Sequence, residues 1–304
     1  MEPQAGGACR AGNIYNLLQR VLYRMVEQGQ QEYAQIPVIS LNFMGEEKHT
    51  GFHITPSLLS GGIAAGCYGD LIMCLYQQVK PYEQNPGETD RIRSQVEKKL
   101  CESIRRHRNG RHTREKNYRY ACEVFSKVPV KPGKKKRVGI TGEIYMKYSK
   151  LGNDDIESFL LRQGMEPYSG GFVNYCLYLV DTERYKAEKY QHNPIMAKAC
   201  AFVLHRLCEA QKHLLTVIGE TDRFQTDLPF PELKEKVQGI LAEGCNTGDG
   251  WLIAAEVIQY VEKGCGSVLI LHPFGCLVSH VCEREMRNFG FAETIARYLR
   301  QQTK

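Results

Sequence analysis

The sequence predicts an α/β fold: a small parallel sheet, Rossmann- or flavodoxin-like, flanked by helices and accompanied by a large helical portion. Three observations carry that prediction. Short β-branched runs ending in turn residues occur at residues 36–41, 137–142 and 267–271. Long segments of helical periodicity separate them, and this alternation implies parallel strands joined by helical crossovers. Helical pattern also exceeds strand pattern along the chain, so the sheet is small.

Taken in order, the first element is a helix over residues 14–28. Ile14, Leu17, Leu18, Val21, Leu22 and Met25 form one apolar stripe there. Ile36-Pro37-Val38-Ile39-Ser40-Leu41 reads as the first buried strand. The longest apolar stretch, Leu58 to Tyr76, is interrupted by Gly61, Gly62, Gly66, Gly69 and Asp70. Those interruptions predict a buried, closely packed helix pair and not a bilayer span. Residues 91–107 and 115–128 read as further helices. The Pro-, Gly- and Lys-rich segment 128–136 is the expected boundary. It divides the chain into residues 1–130, mostly helical with the Cys9 block and one strand, and residues 131–304, an α/β domain. The second strand, Arg137 to Gly142, opens that domain. Asn153, Asp154 and Asp155 supply a cap and first-turn acids for a helix through Leu161. Residues 172–190, 194–218, 231–242 and 250–263 continue the helical majority. Ser267 to Leu271 is the third strand.

Composition narrows the function classes. The chain has 304 residues, 42% hydrophobic and 24% charged, with a formal net charge of +6, as expected of a globular protein. Basic residues are clustered. Arg105, Arg106, Arg108, Arg111 and Arg114 lie near His107 and His112, and a second run holds Lys131, Lys134, Lys135, Lys136 and Arg137. They read as solvated faces beside a helix and a strand, with phosphate binding as the alternative. No aromatic RNA-binding motif, zinc finger or helix-turn-helix accompanies them, so no nucleic-acid partner is expected. The N-terminal MEPQAGGACRAG lacks the charged and apolar regions of a signal peptide, which predicts a cytoplasmic protein with no membrane partner. In a reducing compartment the 12 cysteines do not suggest a disulfide framework, and none are spaced as CxxC. Cys67, Cys74, Cys200 and Cys208 fall in apolar helical stretches and read as small core side chains.

Ligands of open α/β sheets bind beyond the carboxyl ends of the strands, so the loops there are the places to look. The third strand runs into His272-Pro273-Phe274-Gly275-Cys276, after which Val278, Val281, Cys282 and Met286 keep helical spacing. Cys276 therefore stands at a strand-to-helix turn, where free amides and the helix dipole favour a thiolate. Gly275 would let the backbone approach a bulky ligand closely. The alternative is an inert turn thiol. His272 and His280 bracket Cys276, as structural hydrogen-bonding groups or as ligands or bases. Cys9, in Gly6 to Asn13, is a second cysteine between glycines just before a helix, unless that terminus is frayed. The turn Cys245 to Trp251 is a third. Asn246, Gly248 and Trp251 are candidate cofactor contacts there, while Asn246, Thr247 or Asp249 serve equally as helix caps. Glu143 ends the middle strand, as an acid reaching a ligand or as a cap.

Six blocks occur in one order: GGACRAGNIYNLL, IPVISLN with GF-x-I-T, YGDLIMCLY with V-K-P-Y-E-x-x-P-G, RVGITGEIYMKY, CNTGDGWLIAAEVIQYVEKG and HPFGCLVSHV. Together they resemble the family of 2-hydroxyacyl-CoA dehydratases, with 2-hydroxyglutaryl-CoA dehydratase among them, and the activase-related proteins around them. The resemblance runs from about Gly6 to Met286. It implies iron–sulfur chemistry. Dehydratase relatives use a cysteine-bound [4Fe-4S] cluster, fed one electron by an ATP-hydrolysing activator, to dehydrate a 2-hydroxyacyl-CoA through a ketyl radical. Matching the motifs carries Cys9 and Cys276 over as cluster ligands. Larger relatives have a preceding domain with further cysteines, and neither a GxxxxGK[ST] loop nor an actin-like phosphate loop is found here. The resemblance thus implies an iron–sulfur subunit or half-module, with a partner chain supplying the N-terminal half, an activator ATPase in trans and a CoA thioester as substrate. A cluster-free docking or acyl-CoA-binding module is the alternative. A weaker one makes Cys276 a nucleophile with His272 or His280 as base.

Overall fold

The computed structural model describes residues 2–3, 12–36, 38, 40–41, 55–276, 278 and 280. The chain opens with β1 (Glu2–Pro3), α1 (Gly12–Glu27), a 3-10 turn (Gln31–Gln35) and β2 (Ser40–Leu41). β1 and β2 pair in parallel as a ladder of their own. Among the described residues of the strand expected at 36–41, Ser40 and Leu41 are strand, outside the main sheet, and Ile36 caps the 3-10 turn.

α2 (Pro56–Val79) is one continuous helix, not the expected pair. Thr55 caps it by accepting from Leu58 N at 3.1 Å, and Pro56 fits the first turn, where no amide partner is needed. A helical glycine costs only about 1 kcal/mol against Ala, so four of them weaken α2 without breaking it. Gly66 also has a use: a methyl there would stand 3.4 Å from Val173, so its bareness lets another helix approach. By length and composition α2 is apolar enough to cross a membrane. Its second half instead packs Cys67, Leu71, Leu75 and Val79 into the core with no exposure.

After a short 3-10 turn (Lys80–Tyr82), α3 (Glu88–Arg105) and α4 (Arg111–Ser126) form an antiparallel hairpin. The α/β portion follows: β3 (Arg137–Gly142), α5 (Ile144–Tyr148), α6 (Ile156–Arg162), β4 (Glu166–Ser169), α7 (Phe172–Lys189), α8 (Pro194–Gly219), α9 (Phe230–Lys236), α10 (Gly250–Glu262) and β5 (Ser267–Leu271). The helix expected over 231–242 ends at Lys236, where Val237 starts a chain of turns through Gly239 at φ 80°.

β3 is the centre of a three-stranded parallel sheet ordered β4-β3-β5. Val138 lies opposite Pro167 on one side and Ser267 on the other. This is the expected small parallel sheet flanked by helices. Two of its strands are those read from the sequence, and the third, Glu-Pro-Tyr-Ser, is not. Pro167 cannot donate to a ladder on both sides, and an edge strand does not ask it to. The chain leaves β3 toward β4 in one direction and returns as β5 on the other side. That reversal makes the β3–β5 gap a topological switch point, where such sheets open a crevice.

The main core draws on α2, α4, α7, α8 and α10, with Leu71, Tyr118, Tyr178, Leu214 and Trp251 each at most 2% exposed. Burying each such side chain contributes on the order of 1.5–3 kcal/mol. α10 is buried from Gly250 to Tyr260, so its polar residues face other protein groups and not water.

Candidate functional site

The switch point is built by three loops. β3 ends in Gly142, at φ 131°, and a Cβ there would lie 1.9 Å from Leu271 O. Only glycine lets the two strand ends run this close. Glu143 N then donates to Leu271 O at 2.8 Å. The turn before α10 is closed by Trp251 N donating to Cys245 O at 2.9 Å, and Gly250, at φ 28°, would place a Cβ 2.1 Å from the same carbonyl. The first two loops approach at Asp249, whose buried carboxyl feels the charge of Glu143 and the amide of Ile144. The third joins through Gly248, whose Cβ position lies 3.1 Å from Val278. The TGEIY, CNTGDGW and HPFGC segments therefore meet at one edge of the sheet. The loop after Leu41, also expected there, lies outside the described residues.

Each candidate residue has a definite place. Glu143 caps α5, its two carboxylate oxygens accepting from Tyr145 N at 3.1 Å and Met146 N at 3.0 Å. Gly275 takes a left-handed conformation, φ 78°. Half-buried Cys276 donates its amide to Pro273 O at 3.2 Å and accepts from His280 N at 3.1 Å, which starts a helical turn at the thiol. The rings of His272 and His280 lie 5.0 Å apart, edge to face, and His272 Nδ1 is 3.3 Å from Pro273 O. Asn246 is buried, with no partner for its Nδ2 among the described residues. Trp251 points away from the crevice contacts into the core, where its ring packs on Tyr178 at 5.0 Å and Phe230 at 5.8 Å. Cys9 lies outside the described residues.

Beneath the crevice runs a buried polar cluster that sequence reading did not anticipate. Glu256 of α10 accepts from Thr141 Oγ1 at 2.5 Å and from Lys147 Nζ at 2.6 Å. Asp70 of α2 caps α7, accepting from Phe172 N at 2.7 Å and Val173 N at 2.9 Å. A Cβ at Gly171 would come within 2.3 Å of that carboxylate, so the cap needs glycine. Asp227 accepts from Tyr168 OH at 2.5 Å, Gly171 N at 3.1 Å and Gln259 Nε2 at 3.2 Å. Burial dominates the electrostatics. It pushes Asp70 up to about 7 against its two amide donors, and it raises Asp227. Burial, then the charges of Glu143 and Glu256, push Asp249 up to about 8. The available signal was polar residues inside apolar runs: Asp70 within α2, and Glu256 and Gln259 within α10. A cavity of about 240 Å³ opens beside the cluster, its walls including Gln77, Lys147, Tyr148, Asn153, Glu157 and Ser169.

The thiols sort by environment. Cys67 is a core group, pushed up to about 11 by burial. Cys74 and Cys208 are half-buried against the core and also raised, Cys208 to about 11. Cys200, half-buried on α8 outside the core clusters and raised by burial, departs from the expected core position. Among the described residues no three His, Cys, Asp or Glu side chains are grouped to hold a metal ion. A cubane is held by four cysteine thiolates. The described residues do not fit that ligand set by themselves. No family model matches the sequence, and no curated protein or solved structure matches it significantly.

Proposed function

We propose that the chain is an iron–sulfur half-module related to the 2-hydroxyacyl-CoA dehydratases, acting in the cytoplasm with a partner chain and an activator ATPase. Its task would be low-potential electron transfer to, or radical dehydration of, a CoA thioester. The convergence of three resemblance-bearing segments on the switch point, with Cys276 opening a helical turn there, carries this reading. On it, Cys276, Cys9 and thiolates of the partner would complete the ligand set. This chain would contribute the glycine turns that bring the loops together and the buried Thr141–Glu256–Lys147 cluster that holds their floor.

The incomplete donor set among the described residues favours a second reading, a cluster-free module that docks a partner or an acyl-CoA. Anaerobic expression followed by iron and sulfide analysis and a visible spectrum separates the two. The first reading requires bound iron with charge-transfer absorption, lowered in Cys276→Ser and Cys9→Ser and kept in Cys67→Ser. Iron-free protein, alone and after co-expression with a separately encoded N-terminal half, would leave the docking module.

A further inference from the structure

The α3–α4 hairpin carries a groove that neither reading uses. Arg91, Ser94, Gln95, Lys98 and Lys99 recur at helical spacing on one exposed side of α3, and Tyr120 of α4 borders the shallow, solvent-open groove they line. Every one of these side chains can donate a hydrogen bond, and none is a carboxylate. Three other cations of the hairpin are neutralised, while Arg105, Arg108 and Arg111 at its tip have no carboxylate partner among the described residues. Arg93 pairs with Glu97 at 2.7 Å, Arg106 with Glu102 at 2.5 Å, and Arg119 with Glu115 and Glu220 at 3.0 and 2.5 Å. Inside the groove, Arg91 has only a 3.9 Å contact with Glu88. Lys98 and Lys99 have no carboxylate partner among the described residues. Glu123, whose carboxyl feels the field of Lys99, is taken by Lys127.

The groove is also organised. Lys99 Nζ sits 3.3 Å from the centre of the Tyr120 ring, and Gln95 Nε2 donates to Tyr120 OH at 2.8 Å. The cation–π contact holds a normally mobile ammonium against the wall, and the phenol keeps its own proton to donate. Less side-chain freedom is then lost when an anion binds.

We propose that this groove is a binding site for a di- or triphosphate group, carried by a nucleotide or as the free inorganic anion. The short reach of the charge favours a small ligand over a long polyanion, since the three cations span only about 12 Å of helix. Compact, multiply charged anions meet such a cluster with several charge-assisted hydrogen bonds at once.

Calorimetric titration of the full chain with inorganic pyrophosphate, and separately with ATP, tests the site. The expected result is binding that weakens with added salt. It should fall about tenfold or more in the double variant K98E/K99E and stay within about twofold in K198Q, an exposed lysine of α8, since each lost charge-assisted bond is worth about a factor of ten. Circular dichroism checks that the variants fold, and K98Q/K99Q replaces the charge reversal if it does not. Tighter binding of ATP than of pyrophosphate assigns the group to a nucleotide; equal binding assigns it to the free inorganic anion. Absence of binding by both probes, equal binding by K98E/K99E and the parent chain, or preference for an oligonucleotide or poly-glutamate would overturn the proposal.

Discussion

Lys147 Nζ lies 2.6 Å from Glu256 Oε1, with the two side chains only 4% and 3% exposed. The pair joins α5 to α10 beneath the switch point, and Thr141 Oγ1 completes it from the end of β3. A buried ion pair recovers its desolvation cost only while both charges and their hydrogen bonds are present.

Removing one partner should therefore cost far more than removing both. Lys147→Met is expected to destabilise the chain by about 3–5 kcal/mol, because Glu256 stays buried without its counter-charge. Adding Glu256→Gln should recover much of that loss. Urea unfolding of the two variants measures the difference, and a double variant weaker than Lys147→Met would refute the account.

Glycine at the strand end is a steric requirement. Gly142→Ala would force a Cβ against Leu271 O at a φ of 131° and should cost roughly 3 kcal/mol or more, or yield insoluble protein. Gly69→Ala, in the interior of α2 with nothing near the added methyl, should be neutral or stabilising by up to about 1 kcal/mol. Comparable thermal midpoints for the two variants would show that the close approach is not required.

The sequence made much of this frame legible, for physical reasons. Val138 with Ile140, and Val268 with Ile270, are β-branched alternations, and β3 and β5 lie where they predict. β4 has no such signal, since Glu166 and Pro167 read as a turn, and Glu166 is held by Arg137 at 2.7 Å instead. Glycines spread through Leu58 to Tyr76 suggested a break that the packed core does not permit. The Lys147–Glu256 contact joins positions 109 residues apart, a relation that no local pattern encodes. Asp70 was visible as an oddity in an apolar run. Its role as a cap on α7 required the third dimension.

Stability should fall as pH rises through the window set by Asp249. Burial and the neighbouring charges of Glu143 and Glu256 raise its carboxyl to about 8, against the opposing field of Lys147. Between the ordinary carboxylate value near 4 and about 8, the folded chain then holds a proton that the unfolded chain has released. The stabilisation is full below that window, is lost on rising through it, and is flat above. Asp249→Asn should flatten the decline, gaining about 3 kcal/mol on the parent at pH 8 relative to pH 5. Urea midpoints at the two pH values check this, and parallel profiles would exclude Asp249 as the titrating group.

Thiol reactivity should follow exposure. Cys101 and Cys245 are exposed and should react with a chromogenic disulfide in the native state, whereas buried Cys67 and Cys122 should react only on unfolding. Stopped-flow absorbance with and without urea separates the classes, and fast native labelling of Cys67 would contradict the packing of α2.

The strand order has a consequence for how the chain is made. β3 gains its first neighbour, β4, soon after it emerges, but its other side waits for β5, near the far end of the described chain. Throughout the synthesis of α7 to α10 the central strand keeps one hydrogen-bonding edge unclaimed, and Glu256 has no finished floor to join. Such long-range pairing makes folding slow and leaves the growing chain open to association through that edge. A nascent chain halted before Ser267 should therefore be a client for chaperones, and release past Leu271 should end that dependence.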